Sequence, residues 1–97
     1  MGLAMRVWSF SKGRWHEGEQ QDAEKRWYDL TGNDHEDLRR LAHTYGLHPL
    51  AVDDCISPYL HTPKIDDFGT HVFTILLALA PGSTEPVPEE FDLFLGP

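Results

Sequence analysis

The sequence predicts an α/β (α+β) fold, a two-layer sandwich in which a mixed or antiparallel sheet of about four strands carries two main helices. Three observations predict it. An amphipathic pattern bounded by a helix-start and a helix-stop residue covers residues 33–46. A proline, Pro49, follows the stop closely and opens a second, shorter helix. The longest apolar run, residues 72–80, ends in Pro81-Gly82 and has about half of the roughly 20 residues a membrane helix needs. It reads as a strand.

The bulk numbers narrow the class. A chain of 97 residues suits one domain, 1–97, with a modest core. Hydrophobic residues at 40% and aromatics at 11% predict a folded chain. Eight basic against sixteen acidic side chains give a net charge of -8, which argues against nucleic acid as a partner, because phosphate binding needs clustered Lys and Arg. The single cysteine, Cys55, allows no internal disulfide and fits a reducing cytoplasm. The first residues are no signal peptide, since they lack an apolar segment and Arg6 interrupts them.

Residues 5–10 alternate as a strand, with Arg6, Trp8 and Phe10 on one face and Val7 and Ser9 on the other. Ser11-Lys12-Gly13-Arg14 is a turn signal. Residues 15–26 are polar and read as a surface loop with a helical turn around residues 22–25. Trp27-Tyr28-Asp29-Leu30 is a second short strand. Asn33 is an N-cap, and Glu36 completes a capping box with it. Asp34, Glu36 and Asp37 suit the positive end of the helix dipole. Leu38, Leu41, Ala42 and Tyr45 form the apolar stripe, and Gly46 stops the helix in the left-handed conformation. His48 caps the second helix, Pro49 takes its first position, and Leu47 staples onto Val52. Ser57-Pro58 ends it.

A long strand follows within residues 64–79 and is best defined from Thr70 onward. Phe73, Ile75, Leu77 and Leu79 point one way and Val72, Thr74, Leu76 and Ala78 the other. Both faces are apolar, which predicts a central strand buried on both sides. Residues 81–88 read as a mobile loop. Residues 90–95 return as an antiparallel partner, with Phe91, Leu93 and Leu95 inward and Asp92 outward. A chain that stops just after this strand is expected to be a fragment of a longer protein.

Five segments in order carry a resemblance: Trp27-Tyr28-Asp29-Leu30, Tyr45-Gly46-Leu47-His48-Pro49-Leu50, Asp53-Asp54, Pro63-Lys64 and Val72-Phe73-Thr74-Ile75-Leu76. With the ending Glu90-Phe91-Asp92-Leu93-Phe94-Leu95-Gly96-Pro97, they resemble the cytosolic N-terminal domain of the CorA family of magnesium and cobalt transport proteins. The likeness covers nearly all of the chain. Thr62 stands where the family usually has arginine, and Asp53-Asp54 where it more often has Glu-Asp. The family's stalk helix, its membrane helices and its Gly-Met-Asn pore signature have no counterpart here.

The resemblance implies a homopentameric divalent-cation channel whose cytosolic domains sense the ion at the cytoplasmic face of the cell membrane. It implies that Asp54, with Asp53 beside it, is half of a regulatory site for Mg2+ or Co2+. A neighbouring subunit's acid completes that site, so the fragment alone holds no metal tightly and conducts no ion. The alternative is a free-standing soluble interaction module that shares the fold without transport.

Plainer readings stand beside these. Asp53-Asp54 reads equally as a solvated helix face. N-capping accounts for His48 and Pro49. The histidines do not fall at zinc spacing. Asp66-Asp67 keep the start of a strand soluble, and Trp8, Trp15 and Trp27 read as core or half-buried packing. Cys55, among apolar residues, reads as an inert packed thiol. No phosphate loop, Gly-x-Ser-x-Gly or Cys-His pairing supports an enzyme. The last strand's outer edge predicts an oligomer or strand exchange.

Overall fold

The computed structural model describes residues 5–32, 35–82 and 84–97. They form β1 Met5–Ser11, β2 Arg14–Glu17, β3 Lys25–Leu30, α1 His35–Tyr45, α2 Pro49–Ile56, β4 Lys64–Asp67, β5 Val72–Leu79 and β6 Pro88–Leu95. Two antiparallel three-stranded sheets result, ordered β2-β1-β3 and β4-β5-β6. The α+β class, the antiparallel pairing and the two helices are those the sequence predicts. Among the described residues the strands are six, in two sheets, where about four in one sheet were expected. The chain divides into two compact units, residues 1–40 and 41–97.

In residues 1–40, β1 and β2 are joined through Lys12 and Gly13, at φ 51° and 77°. Two consecutive left-handed residues are what a two-residue hairpin loop needs for its twist to match the strands. β2 lies in the stretch expected to be loop. It is an edge strand with mostly exposed side chains, so no apolar alternation betrays it. The helical turn expected around residues 22–25 is not formed. Lys25 already belongs to β3, and the Glu24 N–H donates to the Phe10 carbonyl at 2.9 Å.

The side chains withdrawn from solvent on β1 are Ser9 and Ser11. Ser9 Oγ donates to the Gly18 carbonyl at 2.8 Å and accepts from the Gln20 N–H at 3.0 Å. Ser11 Oγ donates to Gln20 Oε1 at 2.8 Å. Arg26 reaches back to the Gln20 carbonyl at 2.8 Å. The polar segment is therefore folded onto β1 by hydrogen bonds. The opposite face carries Trp15 against Phe10, ring centres 5.3 Å apart. Trp15 and Trp27 are 46% and 56% exposed, so they are not core residues.

The expected cap Asn33, with Asp34, lies outside the described residues. Leu38, Leu41 and Ala42 of α1 are half-buried, while Tyr45 is exposed. The stop at Gly46 is as the sequence predicts. Gly46 sits at φ 65°, and the Leu47 N–H returns to the Ala42 carbonyl at 3.0 Å, closing the helix end.

In residues 41–97, α2 lays Ala51 onto Phe73 and Ile75 of β5, with Cys55, Phe68 and Phe94 packed around them. β5 is the central strand, as expected, but it is not buried on both sides. Phe73 and Ile75 are fully buried, whereas Leu76, Leu77 and Leu79 are exposed. The facing of β6 is the reverse of that expected. Asp92 pairs with Ile75 and Phe94 with Phe73, so both share the face under α2. Phe91, Leu93 and Leu95 lie on the other face and are exposed. Period-2 alternation sorts a strand into two sets but does not say which set is inside. No helix among the described residues is long and apolar enough to cross a membrane.

Candidate functional site

The two candidate carboxylates are carried by α2, and its start is fixed by two imidazoles. His48 is the N-cap, at φ -66° and ψ 131°, and its Nδ1 accepts from the Leu50 N–H at 3.2 Å. Pro49 occupies the first turn, where its missing N–H costs nothing. His71, buried at the start of β5, accepts the His48 N–H on Nε2 at 3.1 Å, and its Nδ1 lies 2.9 Å from Thr70 Oγ1. Phe68 stacks on His48 at 4.1 Å and tilts against His71 at 5.2 Å. Both histidines thus anchor the helix to the sheet, which extends the capping role expected for His48.

The two acids differ in what surrounds them. Asp53 is exposed, and among the described residues its carboxylate makes no hydrogen bond or ion pair. Asp54 has a side chain only 27% exposed and is already engaged. Lys64 Nζ donates to Asp54 Oδ2 at 2.7 Å and also lies 3.0 Å from Asp66 Oδ2. Those hydrogen bonds, first to Asp54 and then to Asp66, hold the Lys64 ammonium above its ordinary value. On the other side, His61 Nε2 lies 3.7 Å from Asp54 Oδ1. The Pro63-Lys64 segment therefore places a cation on Asp54 from within the chain.

His61 and Glu90 were missed by sequence reasoning. The Glu90 carboxylate accepts the His61 N–H at 2.7 Å and sits 3.2 Å from its Nδ1. The partners are 29 residues apart, and no local pattern signals such a pair. Cys55, on α2 beside Asp54, has its thiol pushed well up, by burial first and then by the charge of Asp92. It is a neutral packing group, in line with its expected inertness. Asp66 belongs to the Lys64 pair, and Asp67 Oδ1 accepts the Gly69 N–H at 2.8 Å, holding the turn after β4.

The donor set decides what this edge can hold. Two carboxylates on one helix offer hard oxygen ligands, which suit a hydrated Mg2+ that keeps most of its waters. Asp53 fits that use as it stands, and Asp54 fits it when Lys64 yields an oxygen. Among the described residues no group of three or more His, Cys, Asp or Glu side chains is placed to hold a metal ion. A divalent ion at this edge would draw its remaining ligands from water or from another chain.

Comparison with known proteins agrees with this chemistry. The family model described as "CorA-like Mg2+ transporter protein" matches residues 22–95. The Bacillus subtilis (strain 168) protein named "Putative metal ion transporter YfjQ" is 32% identical over 78 residues, 80% of this chain. The chain spans about a quarter of that relative's length, 24%. The matched family is one of ion transporters rather than of enzymes. The helix caps, the acidic pair with its lysine and the match over most of the sequence lead to one assignment: the chain belongs to the CorA-like Mg2+ transporter family.

Proposed function

We propose that this chain is the cytosolic, regulatory part of a CorA-type divalent cation transporter. In that reading it works at the cytoplasmic face of the membrane, within a homopentamer. Asp54 and Asp53 supply half of a sensing site for Mg2+ or Co2+, and an acid of a neighbouring subunit supplies the rest. The observation that carries the reading is the edge of α2, where an exposed Asp53 adjoins an Asp54 that is already holding a cation. A surface that accepts an ammonium in one subunit state can exchange it for a divalent ion bridging two subunits.

Such a site binds weakly, because Mg2+ gives up its waters reluctantly and few carboxylates contribute. Weak binding suits a sensor of an abundant ion, whose effect depends on the difference in affinity between two states. The test is ion flux through the full-length transporter at graded internal Mg2+. Asp54→Ala is expected to raise the half-inhibitory Mg2+ concentration roughly fivefold or more, the lower range of allosteric coupling. Inhibition at the wild-type concentration would remove Asp54 from the sensing site.

A further inference from the structure

The cation edge uses Asp53 and Asp54, and leaves a second group of titratable side chains in residues 41–97 unaccounted for. Glu90 and Asp92 are two apart on β6, so they share one face of the strand, and Asp92 pairs with the fully buried Ile75. Their carboxyl groups are within hydrogen-bonding reach of each other. Cys55 of α2 faces Asp92, and His61 faces both acids from the loop before β4. Asp54, next to Cys55 on α2, adds a further negative charge, while the ammonium of Lys64 is spent on Asp54 and Asp66.

The occupancy of the oxygens is unequal. Glu90 Oε1 takes the His61 N–H at 2.7 Å, and Oε1 and Oε2 lie 3.2 Å and 3.3 Å from its Nδ1. Among the described residues, Asp92 Oδ1 is shut off from solvent with no hydrogen-bond partner. A carboxylate oxygen left in that position is costly, and a second carboxylate beside it makes ionisation of both costlier still.

We propose that Glu90 and Asp92 hold one proton between them, and that this proton is a pH-sensitive clasp joining β6 to the His61 loop. With the proton present, the Asp92 carboxyl donates to Glu90, and Glu90 keeps accepting from His61. When the proton leaves, two anions face each other beneath α2, and the weak thiol donor of Cys55 is what still faces the Asp92 carboxylate. Asp92 is the carrier. Burial first, then the hydrogen bond and charge of Glu90, push it up to about 7. For Glu90, burial pushes upward but is outweighed by the hydrogen bonds from Asp92 and from the His61 N–H and ring, so it stays below the usual carboxylate range.

The sign follows from linkage. The folded chain binds more protons than the unfolded chain between the ordinary Asp value of 3.8 and about 7. The stability that the Asp92 proton contributes is complete below that window and is lost as pH rises through it. A carboxylate in an ion pair does the opposite. The clasp does not require that Asp54 bind a divalent ion.

The test is a carboxyl carbon-13 NMR titration of the 97-residue chain, with urea unfolding of wild type and Asp92→Asn from pH 5 to 8.5. The Asp92 carboxyl is expected to titrate with a midpoint near 7. The wild-type urea midpoint should fall with rising pH more steeply than that of Asp92→Asn, whose amide donates to Glu90 at every pH. An Asp92 midpoint near 4 would overturn the clasp, and so would equal slopes for the two proteins. If Asp92→Asn does not fold, the wild-type titration decides alone.

Discussion

In residues 1–40 the described side chains withdrawn from solvent are Ser9 and Ser11, whereas in residues 41–97 they are Ala51, Val52, His71, Phe73 and Ile75. Each half has a three-stranded antiparallel sheet, yet one closes its covered face with hydroxyls and the other with hydrocarbon. Hydroxyls give direction. Ser9 and Ser11 set where Gly18 and Gln20 lie, and so bend a polar segment back onto β1. Hydrocarbon gives free energy in proportion to the area withdrawn from water. The comparison teaches that the half carrying the acidic pair is also the half with an apolar core, so α2 is displayed from the firmer of the two sheets.

Three substitutions break or sharpen that contrast. Phe73→Ala has the largest expected effect, a loss of about 3–5 kcal/mol, because a fully buried aromatic ring leaves a cavity against Ala51 and Phe94. Urea unfolding measures it, and a loss below about 1 kcal/mol would show that the core is not centred there. Ser9→Ala comes next, at about 1–3 kcal/mol, since it strands the Gly18 carbonyl and the Gln20 N–H. Hydrogen exchange should quicken at Gln20 while the β5 amides keep their protection. Equal loss in β5 would mean that the two halves do not differ in the way their buried residues indicate.

Lys64→Met is the smallest change for stability, because the ammonium lies at the surface and its ion pairs are screened. The unfolding midpoint should not move measurably. Mg2+ affinity at the α2 edge, followed by chemical-shift titration of the Asp53 and Asp54 amides, should increase, since the competing internal cation is gone. Unchanged affinity would show that Lys64 does not compete there.

What the sequence made legible follows the range of each interaction. Gly46, His48 and Pro49 act within one helical turn, and their positions could be read from residue type alone. The central place of β5 was legible from its apolar run. β2 was not, because an edge strand with exposed side chains lacks the alternation that marks a half-buried one. Nor was the side on which Asp92 lies, since two sets of alternate residues are equivalent until a helix covers one of them. The partners of Asp54 and of Glu90 were hidden for another reason: Lys64 lies ten residues from Asp54, and Glu90 meets His61 across 29. Those pairings exist only once β4 and β6 have flanked β5.

The bond from the His48 N–H to His71 Nε2 fixes a tautomer. A nitrogen that accepts carries no hydrogen, so the proton of this neutral ring resides on Nδ1 and is offered to Thr70 Oγ1. The peptide that begins the helix is pegged to the sheet by a lone pair. Neither lysine nor arginine can stand in at position 71, for each has donors and nothing to accept with.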